Sequence, residues 1–188
     1  LTPCEGELKV LGLDPSRPSV MYAGTSGGVY KTTDQAAHWV QVNGGLVPEG
    51  MVTTSRALGV TSVQVDPSAP DTVYAATLAG LYKTTNGAAS WVRIGESLHD
   101  QMIVAMVLDR ARVGVLYLAG RDGIHRSEDG GMSWVPLNEG LATTNIRSLA
   151  QSPTDAKVFY AGTNGSGLYR SLDGGAHWDA LPSVFPKE

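Results

Sequence analysis

The sequence predicts an all-β fold in which one antiparallel four-stranded unit is built four times in succession. The tryptophans recur at steps of 52, 43 and 44 residues: Trp39, Trp91, Trp134 and Trp178. The 188 residues include 23 glycines and 10 prolines, which supply frequent turns between short strands. A fixed period of this length is typical of repeat architectures, and four antiparallel strands per repeat describe the blade of a β-propeller.

Each repeat predicts its strands, A to D, in the same order. The A strands are alternating runs, namely "VLGLDP", "VTSVQVDP", "IVAMVLD" and "IRSLAQSP". The B strands are "SVMYAGT", "TVYAATL", "VLYLAG" and "VFYAGT", and the C strands are "GVYKT", "GLYKT", "GIHRS" and "GLYRS". A short D strand begins at each tryptophan. We therefore predict one propeller domain over 1–188, with blades at about 7–45, 59–97, 102–139 and 145–183, either as a closed four-bladed ring or as part of a larger propeller.

Composition narrows the classes of function. A hydrophobic content of 42% with 17% charged residues is sufficient for a packed core. The net charge of −4 argues against nucleic acid as a partner, because no basic cluster is available to neutralise phosphates. No apolar run approaches the roughly 18 residues of a membrane span. The chain starts at Leu1 rather than Met, so we expect a processed or excised segment of something longer. As a separate expectation, we place the protein in an extracellular or periplasmic location.

A nine-residue motif leads into each D strand and ends at its tryptophan: "KTTDQAAHW", "KTTNGAASW", "RSEDGGMSW" and "RSLDGGAHW". The pattern Ser/Thr-x-Asp-x-Gly-x-x-Trp resembles the Asp-box, or BNR repeat, of neuraminidase-like propellers. Ala36 and Ala88 replace the second glycine, and Asn86 replaces one aspartate. An Asp or Asn side chain can accept hydrogen bonds from its own turn, and Trp can cover the hairpin. The motif is therefore interpreted as a turn-forming box without a ligand-binding role. Its structural residues are Asp34, Trp39, Asn86, Trp91, Asp129, Trp134, Asp173 and Trp178.

One cation stands directly before each box: Lys31, Lys83, Arg126 and Arg170. The four cations could form an anion-binding ring, or they could be solvated strand residues whose long side chains cover apolar surface. The second interpretation is favoured, because equivalent positions on outer strands of a propeller are too far apart to converge on one ligand.

Antiparallel topology assigns the loops to two faces. The A–B loops and the boxes share one face, and their sequences are similar in all four repeats. The B–C turns and D–A links share the other face, and their sequences and lengths differ between repeats. Variable loops on a regular scaffold tend to carry function. The candidate ligand-binding residues on this face are Glu49, Arg56, His99, Asp100, Arg121, Asp122, Arg147 and Asn164. No His, Cys and carboxylate cluster has metal-ligand spacing, so neither a metal nor another cofactor is expected.

The resemblance to Asp-box propellers implies two kinds of function. Sortilin-type receptors and photosystem-assembly factors bind proteins, whereas sialidases and xyloglucan-cleaving enzymes hydrolyse glycans. A sialidase-like site needs three arginines and a tyrosine with acidic partners, and other glycosidases need two opposed carboxylates, for which only Asp100 and Asp122 could be named. We favour a non-catalytic binding or scaffolding propeller with a protein or carbohydrate ligand, existing as a homodimer or joined to further blades. The alternative is a fragment of a secreted glycoside hydrolase whose site is completed by missing blades.

Overall fold

The computed structural model describes residues 7–46, 58–98 and 101–182 and is all-β, with four antiparallel four-stranded sheets. Sheet 1 comprises β1 (Leu8–Leu13), β2 (Met21–Thr25), β3 (Gly28–Thr32) and β4 (Val40–Gln41). Sheet 2 comprises β5 (Val60–Val65), β6 (Val73–Thr77), β7 (Gly80–Thr84) and β8 (Val92–Ile94). Sheet 3 comprises β9 (Ile103–Leu108), β10 (Leu116–Gly120), β11 (Gly123–Ser127) and β12 (Val135–Pro136). Sheet 4 comprises β13 (Ile146–Gln151), β14 (Phe159–Thr163), β15 (Leu168–Ser171) and β16 (Asp179–Ala180).

Every sheet is a meander in which consecutive strands pair, as the repeat predicted. The second strands of sheets 2 and 3, β6 and β10, are buried along their whole length. The fourth strands are only two or three residues long and mostly exposed, which limits the unpaired edge that each sheet presents. In the described residues the helical structure is a single 3₁₀ turn at Glu96–Leu98, and none of it is long and apolar enough to cross a membrane.

The chain divides into two compact units, residues 1–100 with sheets 1 and 2, and residues 101–188 with sheets 3 and 4. In unit 1, Tyr22, Val63 and Trp91 belong to one buried cluster. In unit 2, Tyr117, Leu149 and Trp178 belong to the corresponding cluster. Each core therefore lies between two sheets, and each sheet contributes a face to it.

The box tryptophan of the second sheet joins the two sheets of each unit. In unit 1, Trp91 Nε1 donates to Val42 O at 2.7 Å and Trp91 N donates to Gly44 O at 2.8 Å. In unit 2, Trp178 Nε1 donates to Leu137 O at 3.0 Å and Trp178 N donates to Glu139 O at 2.9 Å. A large apolar ring with one donor is thus buried against the preceding sheet with its donor satisfied. We call this arrangement the Trp joint.

An asparagine lies in the turn to which the tryptophan of each Trp joint bonds. We call this turn the asparagine corner. Asn43 Oδ1 accepts from Val29 N, and Asn138 Oδ1 accepts from Ile124 N, both at 2.8 Å. These side chains occupy the space that a Cβ at Gly28 or Gly123 would fill, and both glycines have positive φ, at 114° and 104°. Glycine is required there by conformation and by space.

Candidate binding face

The candidate residues that the structure describes lie in unit 2, on the face formed by its B–C turns and D–A links. We call this face the loop face. Arg121 and Asp122 form the turn between β10 and β11, Arg147 lies on β13, and Asn164 follows β14. All four residues are exposed. The other candidates lie outside the described residues: Glu49, Arg56, His99 and Asp100.

Packing of sheets 3 and 4 aligns their loop ends. Tyr117 OH, at the start of β10, donates to Gly174 O in the box of sheet 4 at 3.1 Å. Gly130 N donates to Gly114 O and Gly174 N donates to Lys157 O, so each box backs onto the A–B loop of its own sheet. The boxes and A–B loops of both sheets thus lie at one end of unit 2. The B–C turn of each sheet lies at the opposite end of that sheet.

His125 is a residue of this face that the sequence pattern did not select. It lies on β11 and lines a cavity of about 10 Å³ together with Met102, Arg121 and Asp122, enough for about one water molecule. Burial lowers the pKa of His125, and the charge of Asp122 opposes this shift. The sequence did hold a signal for His125, because the other three repeats have tyrosine at the equivalent positions 30, 82 and 169.

Asn145 is a second polar residue that the sequence pattern did not select. Its backbone carbonyl accepts from Asn164 N at 2.9 Å, so it supports the B–C turn of sheet 4. Its side-chain Oδ1 is buried and has no hydrogen-bond partner among the described residues. A buried acceptor without a partner is costly, which makes Asn145 a point where a ligand or water could bind favourably.

Two aspartates at the opposite end of the sheets form ion pairs and hydrogen bonds within their own A–B loops. Asp14 accepts from Arg17 Nε at 2.6 Å, and Asp109 accepts from Arg112 Nη2 at 2.7 Å. Burial alone would raise the pKa of both aspartates, but hydrogen bonds from the arginines and from loop residues outweigh it, and both pKa values are lowered. These ion pairs hold the A–B loops of sheets 1 and 3.

The four boxes share one hydrogen-bond pattern. The first Ser or Thr hydroxyl donates to the Asp or Asn side chain at 2.7–2.8 Å and accepts the backbone N–H four residues later. The Asp or Asn Oδ1 accepts the N–H of the residue before the tryptophan at 2.9–3.0 Å. Asn86 forms the same bonds as the aspartates and adds one from its Nδ2 to Ser90 Oγ. Each box is therefore closed by its own side chains.

The pKa values of the box aspartates follow from these bonds. The backbone N–H and side chain of His38 lower the pKa of Asp34 to about 2. Hydrogen bonds from Ser133 lower the pKa of Asp129, and the N–H of His177 lowers that of Asp173. Among the described residues, no group of three or more His, Cys, Asp and Glu could hold a metal ion.

The cations before the boxes contact neighbouring tyrosines and turns. Lys31 Nζ lies 5.5 Å from the centre of the Tyr22 ring and donates to Gly87 O in the next box at 2.8 Å. Lys83 Nζ lies 5.2 Å from the centre of the Tyr74 ring. Arg126 forms an ion pair with Glu128 at 3.0 Å. Each contact is local to its own unit.

Comparison with known proteins shows the fold. No protein-family model matches the chain, and no curated protein matches it in sequence. Among solved structures it is similar to an ancestral GH74 enzyme (TM-score 0.77, 21% identity, 96% of this chain, 24% of that one). It is also similar to the GH74 xyloglucanase of Xanthomonas campestris (0.73, 20%, 97% and 31%) and to YCF48 bound to D1 peptide (0.63, 18%, 94% and 55%). The chain therefore spans about a quarter to a half of these proteins and has their all-β propeller fold.

Proposed function

We propose that this chain is a non-catalytic binding part of a β-propeller that recognises a protein or carbohydrate ligand through the loop face of unit 2. The proposal rests on the difference between the two ends of the sheets in unit 2. Arg121, Asp122, Arg147 and Asn164 are exposed at one end, whereas the boxes at the other end are closed by their own hydrogen bonds. Exposed polar groups on a rigid scaffold are available to a ligand.

The aspartates of the boxes and of two A–B loops are unsuited to proton donation. The general acid of a glycosidase needs a raised pKa. Within the described ranges, each carboxyl with a displaced pKa has that pKa lowered, and each of them bonds to its own loop or box: Asp14, Asp34, Asp109, Asp129 and Asp173. Their hydrogen bonds favour the charged form, which suits turn formation and opposes proton donation.

The same proposal includes the structural role of the boxes and the assignment of the sheets as blades near 7–45, 59–97, 102–139 and 145–183. It also includes an extracellular or periplasmic location. YCF48, which has the same fold, is bound to a peptide in its structure, and this supports a protein ligand. The second candidate is a glycoside hydrolase fragment, which the similarity to GH74 enzymes favours.

The experiment combines binding and hydrolysis measurements on the same protein. An array of immobilised synthetic peptides and a panel of oligosaccharides that includes xyloglucan fragments would be probed with the chain. We expect binding of at least one probe, with NMR shifts at residues 121–125, 145–147 and 164, and a loss of affinity of at least tenfold in Arg121→Ala or Arg147→Ala. Thr85→Ala, at an exposed box position, is the matched control. Release of reducing sugar from xyloglucan, or shifts confined to the boxes, would contradict the proposal.

A further inference from the structure

The box of sheet 2 borders an open cavity of about 240 Å³. The described residues that line this cavity belong to β7, to the box and to β8, and they include Lys83, Asn86, Ser90, Val92 and Ile94. The volume is somewhat below the range of about 300–1,000 Å³ that drug-sized ligands occupy, so it suits a ligand the size of a single sugar ring. We call this space the sheet 2 cavity.

The box beside the sheet 2 cavity carries no carboxylate. Asn86 stands where each of the other three boxes has an aspartate. Thr85 stands at the place of Glu128, which in sheet 3 pairs with Arg126 at 3.0 Å. Among the described lining residues the charged side chain is Lys83, and within the described ranges it forms no ion pair. The cavity is therefore lined by a positive charge without a compensating negative one.

The charges behind this box do not cancel the charge of Lys83. Asp71 O accepts Gly87 N at 2.9 Å, which places Asp71 behind the box turn. Its carboxylate accepts from Arg17 Nη1 at 2.8 Å and is thus already paired. Lys31 of sheet 1 donates to Gly87 O and brings a further positive charge to the same turn. The surroundings of the box therefore favour an anion.

The amide of Asn86 reverses a hydrogen bond of the box. In sheet 3, Ser133 Oγ donates its hydrogen to Asp129 Oδ2 at 2.6 Å. In sheet 2, Asn86 Oδ1 accepts Ser90 N, so Nδ2 faces the serine hydroxyl and donates to Ser90 Oγ at 2.9 Å. The hydroxyl of Ser90 accepts this bond and keeps its own hydrogen for another acceptor. Ser90 and Lys83 are therefore two donors on one cavity.

Strand β8 adds an apolar wall beside these donors. Lys83 is paired with Val92, and Val92 and Ile94 lie on one face of β8 because they are two residues apart. Val92 is 65% exposed, so its methyl groups are accessible. Lys83 Nζ lies 5.2 Å from the centre of the Tyr74 ring, which helps to hold the ammonium group in place. An anion receptor, a hydroxyl donor and aliphatic surface together match the groups of an acidic sugar.

We propose that the sheet 2 cavity binds an acidic sugar, a six-membered sugar ring that carries a carboxylate or a sulfate group. The acidic group accepts from Lys83 Nζ, and a ring oxygen accepts from Ser90 Oγ. The C–H groups of the ring contact Val92 and Ile94. The bonds that close the box stay in place, so the box keeps its structural role with a ligand beside it. This site uses one cation of sheet 2 and is independent of the loop face.

Titrations of the whole chain, followed by calorimetry and NMR, test the site with four probes. We expect glucuronate or glucose 6-sulfate to bind about tenfold more tightly than glucose and inorganic sulfate, with shifts at residues 83–86 and 90–94. The tighter of the two acidic sugars identifies the acidic group. Binding of neither acidic sugar, or equal affinity for glucose or inorganic sulfate, overturns the proposal. Shifts from the acidic sugars that are confined to residues 121–125, 145–147 and 164 overturn this site and leave the loop face as the binding surface.

The variant Asn86→Asp tests the charge of the box without opening its turn. Aspartate closes the other three boxes, so the Tm should stay close to that of the wild type, whereas affinity for the acidic sugar should fall about tenfold. Lys83→Gln should lose affinity to a similar extent. Arg170→Gln is the matched control, because Arg170 is the equivalent cation beside a box that has its aspartate, and it should bind like the wild type. Wild-type affinity in Asn86→Asp and Lys83→Gln overturns the proposal.

Discussion

At the scale of single residues, an aspartate or an asparagine can close the same box. Asp129 and Asn86 each accept the N–H of the serine before the tryptophan, and each also contacts that serine's hydroxyl, from Oδ2 in Asp129 and from Nδ2 in Asn86. Geometry rather than charge is therefore the shared requirement. A turn needs an acceptor at this position, and both residue types supply one.

The box geometry predicts that Asp129→Asn is tolerated and Asp129→Ala is not. Asparagine should keep the bonds seen at Asn86, whereas alanine leaves the turn N–H groups of Met132 and Ser133 without their acceptor. Loss of this acceptor is comparable to loss of a helix cap, and we expect the Tm of Asp129→Ala to fall by about 2–4 °C. Thermal unfolding followed by circular dichroism measures the effect. Equal Tm values for the two variants would contradict this account of the box.

The lowered pKa of Asp34 predicts how its contribution depends on pH. An aspartate with a pKa near 2 in the folded chain and about 3.9 in the unfolded chain stabilises the fold fully above pH 4 and loses that contribution as the pH falls towards 2. The Tm difference between the wild type and Asp34→Ala should therefore shrink between pH 5 and pH 2. For Asn86→Ala, where no carboxyl titrates, the corresponding difference should stay nearly constant. A parallel decline in both pairs would argue against titration of Asp34 as the cause.

Two alanines in the boxes have a backbone conformation that favours glycine. Ala36 and Ala88 both have φ of 71°, where the other two boxes have Gly131 and Gly175. Ala36 is exposed, so Ala36→Gly should relieve the conformational cost and raise the free energy of unfolding by about 0.5–1 kcal/mol. Ala88 is buried in the core of unit 1, and its lost packing should cancel most of the gain. Urea titration of both variants distinguishes these outcomes, and a larger gain at Ala88 would be inconsistent with them.

At the scale of elements, the Trp joint connects neighbouring sheets within each unit. Trp178 is 1% exposed and donates to sheet 3, whereas Trp134 is only partly buried and donates to Gly131 O of its own box. The same residue type in the same box thus serves two different purposes. Trp91 and Trp178 each follow a sheet with an asparagine corner in their own unit, whereas Trp134 belongs to the first sheet of unit 2.

The Trp joint predicts unequal costs for equivalent substitutions. Trp178→Phe removes the bond to Leu137 O and leaves a gap in the core of unit 2, so the free energy of unfolding should fall by about 1–3 kcal/mol. Trp39→Phe, at a partly exposed position in the first sheet of unit 1, should cost less than about 1 kcal/mol. Chemical denaturation of both variants and the wild type at one protein concentration provides the comparison. Similar losses in both variants would show that the joint contributes little.

At the scale of the whole chain, the repeat period predicts the four sheets because strand content, turns and tryptophans recur together. Sequence spacing does not reveal the partner of a side chain, which is why the bond from Trp91 to Val42 O and the corner at Asn43 emerge only from packing. The candidate face was predicted from topology and loop variety. His125 and Asn145 were not, because one is defined by a cavity and the other by a buried acceptor.

The asparagine–glycine pairs of the chain bear on its chemical ageing. Deamidation begins when the following backbone nitrogen attacks the side-chain amide, and a small, flexible glycine permits that attack most readily. Gly87 N is held by Asp71 O, and the amide of Asn43 is bonded at both its atoms. Asn164 is exposed before Gly165, which has a φ of 91°. Stored protein should therefore gain its first new negative charge at Asn164, on the candidate binding face rather than in a box or a joint.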